Sequence, residues 1–152
     1  MSDQNNQQLR DEEAVFLKFV EKCPYPIQRN TIRNGQPPEP DILCELMDGT
    51  PVNFELVECV DNSVAKSIYG GSFKGGFFTD DFCLERIENK FRKSYSKACE
   101  LLVYFDAQPI IAKKSWLPQI QSFIEENINC SPFKKVWVYS IPQNRIMLVH
   151  PA

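Results

Sequence analysis

An α/β domain, one mixed central sheet with helices on its faces, is the fold this sequence predicts, and three observations carry that prediction. Apolar residues recur at helical or strand spacing in the order helix, strand, strand, long loop, helix, strand, helix, strand, strand; elements in such alternation bury their apolar faces by packing helices on a shared sheet. The run CELLVYF at residues 99–105 is nearly all apolar and is bounded by a helical pattern and by Asp106-Ala-Gln-Pro109, the pattern of a central strand covered on both faces. A chain of 152 residues, 43% hydrophobic and 24% charged, is long enough for one domain with a substantial core. Residues 1–8 read as a disordered polar tail and residues 9–152 as a single domain.

The elements follow in order. Over residues 9–22, Leu9, Phe16, Phe19 and Val20 recur at helical spacing, and the helix must stop before Pro24. Residues 23–40 carry Pro24, Pro26, Pro37, Pro38 and Pro40, with Asn34-Gly35 as a turn, so this stretch reads as a connector. Strand patterns at 41–46 and 51–60 flank Asp48-Gly49, a strong hairpin signal, which makes the two strands antiparallel neighbours. Residues 69–78 contain two glycine pairs and read as a mobile loop. Thr79 or Asp80 can cap a helix running to about residue 97, with Leu84, Ile87, Phe91 and Tyr95 as its apolar stripe. A helix over 116–128 and strands at 135–141 and 145–149 complete the order.

Composition excludes several classes. The formal net charge is −3 and the isoelectric point about 5.2, so only a local patch could bind a polyanion. No apolar run approaches the roughly 18 residues of a membrane span. The six cysteines (23, 44, 59, 83, 99 and 130) include no CxxC pair, which argues against a zinc site. Several lie in core-like runs, and MSDQNNQQ has no apolar export segment; the expectation is six reduced thiols in a cytoplasmic protein.

Chemistry concentrates around the hairpin. Alternation along the second strand places Val52, Phe54, Leu56, Glu58 and Val60 on one face and Asn53, Glu55, Val57 and Cys59 on the other. Glu58 thus continues an apolar row, where a carboxylate needs water at the sheet end, a counter-charge or a metal. One reading is an edge acid in contact with water. The other is that Asp41 and Glu58 converge as oxygen ligands for Mg2+.

With Pro40-Asp41, the Asp-Gly hairpin, Glu58-Cys59-Val60, the helix IENKFRKSY and the strand CELLVYFD in this order, the chain resembles the PD-(D/E)XK nuclease superfamily over about residues 9–106. The resemblance implies a restriction endonuclease-like core and a Mg2+-dependent nucleic-acid phosphodiesterase. In it Asp41 and Glu58 hold the metal, and a glutamate of the first helix assists. The helical wheel does not choose between Glu12 and Glu13; the resemblance alone favours Glu13, since acids near a helix start also suit the macrodipole. Val60 stands at the position of the motif lysine; the resemblance allows Lys90 or Lys93 of the following helix as the substitute that orients water, and the helical wheel, with Lys90 at the flank of the Ile87/Phe91 stripe and Lys93 nearer solvent, favours Lys90, against the plainer reading of a boundary lysine that snorkels. The alternative is a catalytically degenerate nuclease-like domain serving as a nucleic-acid or protein interaction module. Nucleic acid and a homodimer are the partners this reading admits, with no membrane.

Two further features have plainer readings beside the functional ones. The glycine-rich loop could contact phosphates through Lys74 and stack bases on Tyr69, Phe73 or Phe77, or be a flexible crossover. Lys90, Arg92, Lys93, Lys97, Lys113 and Lys114 could form a basic patch or a solvated helix face. Cys59 with His150 as a nucleophile and base is disfavoured by the position of His150 beside the chain end.

Overall fold

In the computed structural model, which describes residues 3–59, 80–106 and 116–152, the chain runs α1 (Asp3–Val20), β1 (Arg33–Asn34), β2 (Ile42–Glu45), β3 (Pro51–Glu58), α2 (Asp80–Phe91), β4 (Cys99–Phe105), α3 (Trp116–Asn127), β5 (Phe133–Ser140) and β6 (Arg145–His150). The six strands form one sheet in sequential order. β1, β2 and β3 pair antiparallel, β3, β4 and β5 parallel, and β5 and β6 antiparallel. The mixed α/β sheet is therefore as expected.

Strand alternation divides the core in two. Phe54, Leu56, Leu102, Tyr104, Trp137 and Tyr139 face α1, whose Phe16 and Phe19 are fully buried against them; the Phe16 and Phe54 rings lie 4.9 Å apart. On the other face Val57, Leu101, Val103, Phe105, Val136 and Val138 pack on Ile87 and Phe91 of α2 and on Ile120 and Ile124 of α3. All seven residues of β4 are buried, because it lies between parallel neighbours and under helices on both faces.

Several elements differ from the sequence reading. Helix α1 begins at Asp3, inside the expected tail, where Gln7 donates to Asp11 and Gln8 to Glu12 across single turns. The proline-rich connector contributes β1, whose two residues pair with β2. Helix α2 ends at Phe91, short of residue 97: Ser96 N–H donates to the Pro38 carbonyl, and Tyr95 leaves the helical stripe to reach β3. The fully reduced set of thiols is also corrected. Cys59 and Cys83 form a disulfide, while Cys23, Cys44, Cys99 and Cys130 are free. Both bonded cysteines lie in the core of the α2 face, so the packing that buries them brings them together. The glycine-rich loop at 69–78, with Lys74, and also Val60, Lys113 and Lys114, lie outside the described residues. No helix among the described residues is long and apolar enough to cross a membrane.

Candidate functional site

The site forms where the chain entering β2 lies beside the middle of β3. Ile42 pairs with Phe54, which carries Asp41 across from Glu55. Gly35 fixes the approach: its N–H donates to the Asp41 carbonyl at 2.9 Å, and a Cβ there would stand 2.0 Å from the Pro40 carbonyl oxygen. Asp41 in turn is held by β3, its N–H donating to Glu55 Oε1 at 3.0 Å and its Oδ2 accepting from Leu56 N–H at 2.9 Å.

Glu55 is the hinge of the arrangement. Its Oε2 accepts from Lys90 Nζ at 2.7 Å and from the Tyr95 hydroxyl at 3.0 Å. The two side chains of the ion pair are only 18% and 6% exposed, so the attraction is little screened and removing either partner strands a buried charge. Beside the pair, Glu12 reaches in from α1. Gln8 donates to its Oε1, but its Oε2 is buried with no hydrogen-bond partner among the described residues. The carboxyl in hydrogen-bonding reach of Glu12 is that of Asp41. Two carboxylates cannot satisfy each other; a proton or a cation must lie between them. Burial first, then the negative charges of Glu55 and Glu12, push the Asp41 pKa up to about 7, and burial raises that of Glu12 as well.

These groups open on a cleft of about 480 Å³ lined by Gln8, Asp11, Glu12, Asp41, Glu58, Arg86 and Lys90 among others. It lies by the carboxyl ends of β3 and β4, the end of a parallel sheet where ligands commonly bind. Four carboxylates face two cations there, so an anionic ligand enters only with a counter-ion.

Of the residues singled out from the sequence, the structure brings Asp41 and Lys90 together around Glu55. Glu58 lines the same cleft from the opposite face of β3; burial raises its pKa, followed by Asp106, with Arg86 opposing. The reason for the offset is strand length: the four residues of β2 pair only with 51–54, and β3 runs on to Glu58 with β4 as its partner. Glu12, rather than Glu13, lines the cleft. Glu55, Tyr95 and Gly35 were not singled out. The signal for Glu55 was its place on the face of β3 shared by Val57 and Cys59; the sequence did not show that the register would set it across from Asp41. Cys59 is in a disulfide and His150 pairs with Val136 on the far side of the sheet, which removes the nucleophile-and-base pairing. Three members of the basic patch are in ion pairs: Lys90 with Glu55, Arg92 with Glu88 and Lys97 with Glu39.

A second cleft, about 490 Å³, lies at the other end of the sheet between Arg33, Glu45, Asn53, Lys97, Glu100 and Lys134. Its buried polar groups are satisfied internally. Glu100 accepts from the Tyr25 hydroxyl and from Trp137 Nε1, and Asn53 Nδ2 donates to the Ala98 carbonyl.

Among the described residues, no group of three or more His, Cys, Asp or Glu side chains is arranged to hold a metal ion; the Glu12–Asp41 pair is a two-carboxylate set, a number that suffices for Mg2+ when waters and phosphate oxygens complete the shell. No family model, curated protein or solved structure matches the chain.

Proposed function

We propose that the chain is a Mg2+-dependent nucleic-acid phosphodiesterase of the PD-(D/E)XK type with a restriction endonuclease-like core, acting at the Asp41 cleft. The observation that carries this reading is the buried Glu12 Oε2, without a hydrogen-bond partner among the described residues, beside the Asp41 carboxyl. A divalent cation is the group that would satisfy both at neutral pH, and Glu12 and Asp41 are the residues that would hold it, with Glu58 at the cleft wall. When bound, Mg2+ supplies a water of lowered pKa and offsets charge on the phosphate. Lys90 presents an ammonium at the cleft wall, where it can orient a water or meet a phosphate oxygen. Glu55 keeps that ammonium in place, and Tyr95 holds the same Glu55 oxygen. Asp41 is held by the Leu56 N–H, so its free oxygen keeps one direction.

A second reading, a nuclease-like domain that binds nucleic acid or protein without cleaving, is favoured by one feature: both Glu55 oxygens are already occupied by donors. Incubating the protein with fluorescent single- and double-stranded DNA and RNA, with Mg2+ or with chelator, separates the two. Phosphodiesterase action predicts Mg2+-dependent products that fall by about 100-fold or more in Asp41→Asn and in Lys90→Met. Binding without products in every condition supports the interaction module and overturns the enzyme.

A further inference from the structure

We propose that the Cys59–Cys83 disulfide is a thiol–disulfide control on this site, acting through the seating of α2 on β3. The inference rests on reading Lys90 as a site residue.

The two elements meet in three ranks. Along β3, Glu55, Val57 and Cys59 project from one face; along α2, Lys90, Ile87 and Cys83 lie at the i, i+3 and i+7 spacing of one helix face. Glu55 meets Lys90 in the ion pair, Val57 and Ile87 share the core of that face, and Cys59 is bonded to Cys83 with their Cα atoms 5.1 Å apart. The helix thus runs back along the strand, with an ionic clamp at its last turn and a covalent clamp at its first. Four strand residues span about 13 Å and seven helical residues about 10.5 Å, so the two clamps lie at well-separated points and together fix the direction of α2 as well as its position. Arg86 and Lys90, both on α2, line the cleft opposite Glu58 of β3. Whatever frees the first turn of α2 therefore loosens one wall of the cleft.

The chemistry is a two-electron exchange. A dithiol reductant gives two electrons and two protons, becoming a disulfide, and Cys59 and Cys83 become two thiols; a small-molecule disulfide reverses the step and leaves as two thiols. Cys59 is 2% exposed and Cys83 fully buried. A reductant reaches them only when the packing around the bond opens, so the exchange is slow on the intact fold and the bond acts as a stored state rather than a rapid sensor. The bonded form is the one with Lys90 seated.

The test compares the whole chain, isolated without reductant and thiol-trapped on unfolding, with the same chain equilibrated in dithiothreitol. The bonded form is expected to carry one disulfide, mapped to Cys59 and Cys83. Reduction is expected to speed amide hydrogen exchange over residues 84–91 by about tenfold, with β4 and β5 unchanged, and to shift Mg2+ affinity measured by calorimetry by about fivefold or more. A Cys59→Ala/Cys83→Ala double variant should resemble the reduced chain and ignore dithiothreitol, while reduction of the unaltered chain covers the case in which that variant does not fold. Free Cys59 and Cys83 in the chain isolated without reductant overturn the proposal, and so do α2 exchange and Mg2+ affinity that reduction leaves unchanged. A reduction-sensitive α2 in a chain that binds Mg2+ in neither state retains the tether and overturns the phosphodiesterase reading instead.

Discussion

Asp41 and Glu12 form a pair whose charge is set by folding. In the native chain the Asp41 carboxyl is pushed up to about 7, by burial and then by Glu55 and Glu12. A carboxyl raised above its unfolded value binds its proton more tightly in the native state, so its contribution to stability is complete below about pH 4 and is lost as the pH rises through about 7. Global stability by urea unfolding, without divalent ions, is expected to fall over that interval. Asp41→Asn should flatten the slope and stabilise the chain at pH 8 by on the order of 3 kcal/mol: an Asn oxygen can still accept from Leu56 N–H, and its amide supplies the donor that Glu12 Oε2 lacks. An Asn variant less stable than the parent at pH 8 contradicts the account of this pair.

The elements that place these acids differ in how far they were legible. The Asp48-Gly49 hairpin was plain, since Gly49 takes a φ of +88° that a glycine adopts freely, and the central position of β4 followed from its apolar run. The partner of Asp41 was not, because it depends on where β2 stops. Alignment of the hairpin ends pairs Asp41 with Glu58, whereas the observed register pairs it with Glu55, three residues earlier and on the other face. Tyr95 fits a helical stripe by spacing, and only the contact of Ser96 with Pro38 from the connector shows that the helix has already ended. The disulfide could not be deduced either, since pairing depends on which core residues meet. Gly35, legible as a turn, has the further role of letting the chain pass close to Pro40. Gly35→Ala is therefore expected to displace Asp41 and weaken Mg2+ affinity by about tenfold or more while far-UV circular dichroism stays the same; unchanged affinity, measured by titration, means that the approach of Asp41 does not depend on Gly35. The 2.0 Å clash is with backbone rather than a flexible side chain, so the structure must shift to accept it.

Across the whole molecule, the sheet separates two chemically different ends. One holds a cleft whose buried polar groups are internally satisfied, Glu100 by Tyr25 and Trp137; the other holds an excess of carboxylates, one of them with a buried oxygen that no donor among the described residues meets. That contrast, rather than any motif spacing, points to the second as the working end, and it turns on three layers meeting: Glu12 from α1, Asp41 and Glu55 from the sheet, and Lys90 from α2. The measurement that bears on it is a calorimetric titration of Mg2+ into the oxidised chain at pH 7.5, repeated with Glu12→Gln, Asp41→Asn and Glu58→Gln. One saturable site is expected, lost in Glu12→Gln and Asp41→Asn and weakened less in Glu58→Gln, with protons released on binding as the shared proton leaves. Absence of saturable binding to the parent chain, or equal affinity in Asp41→Asn, contradicts the account.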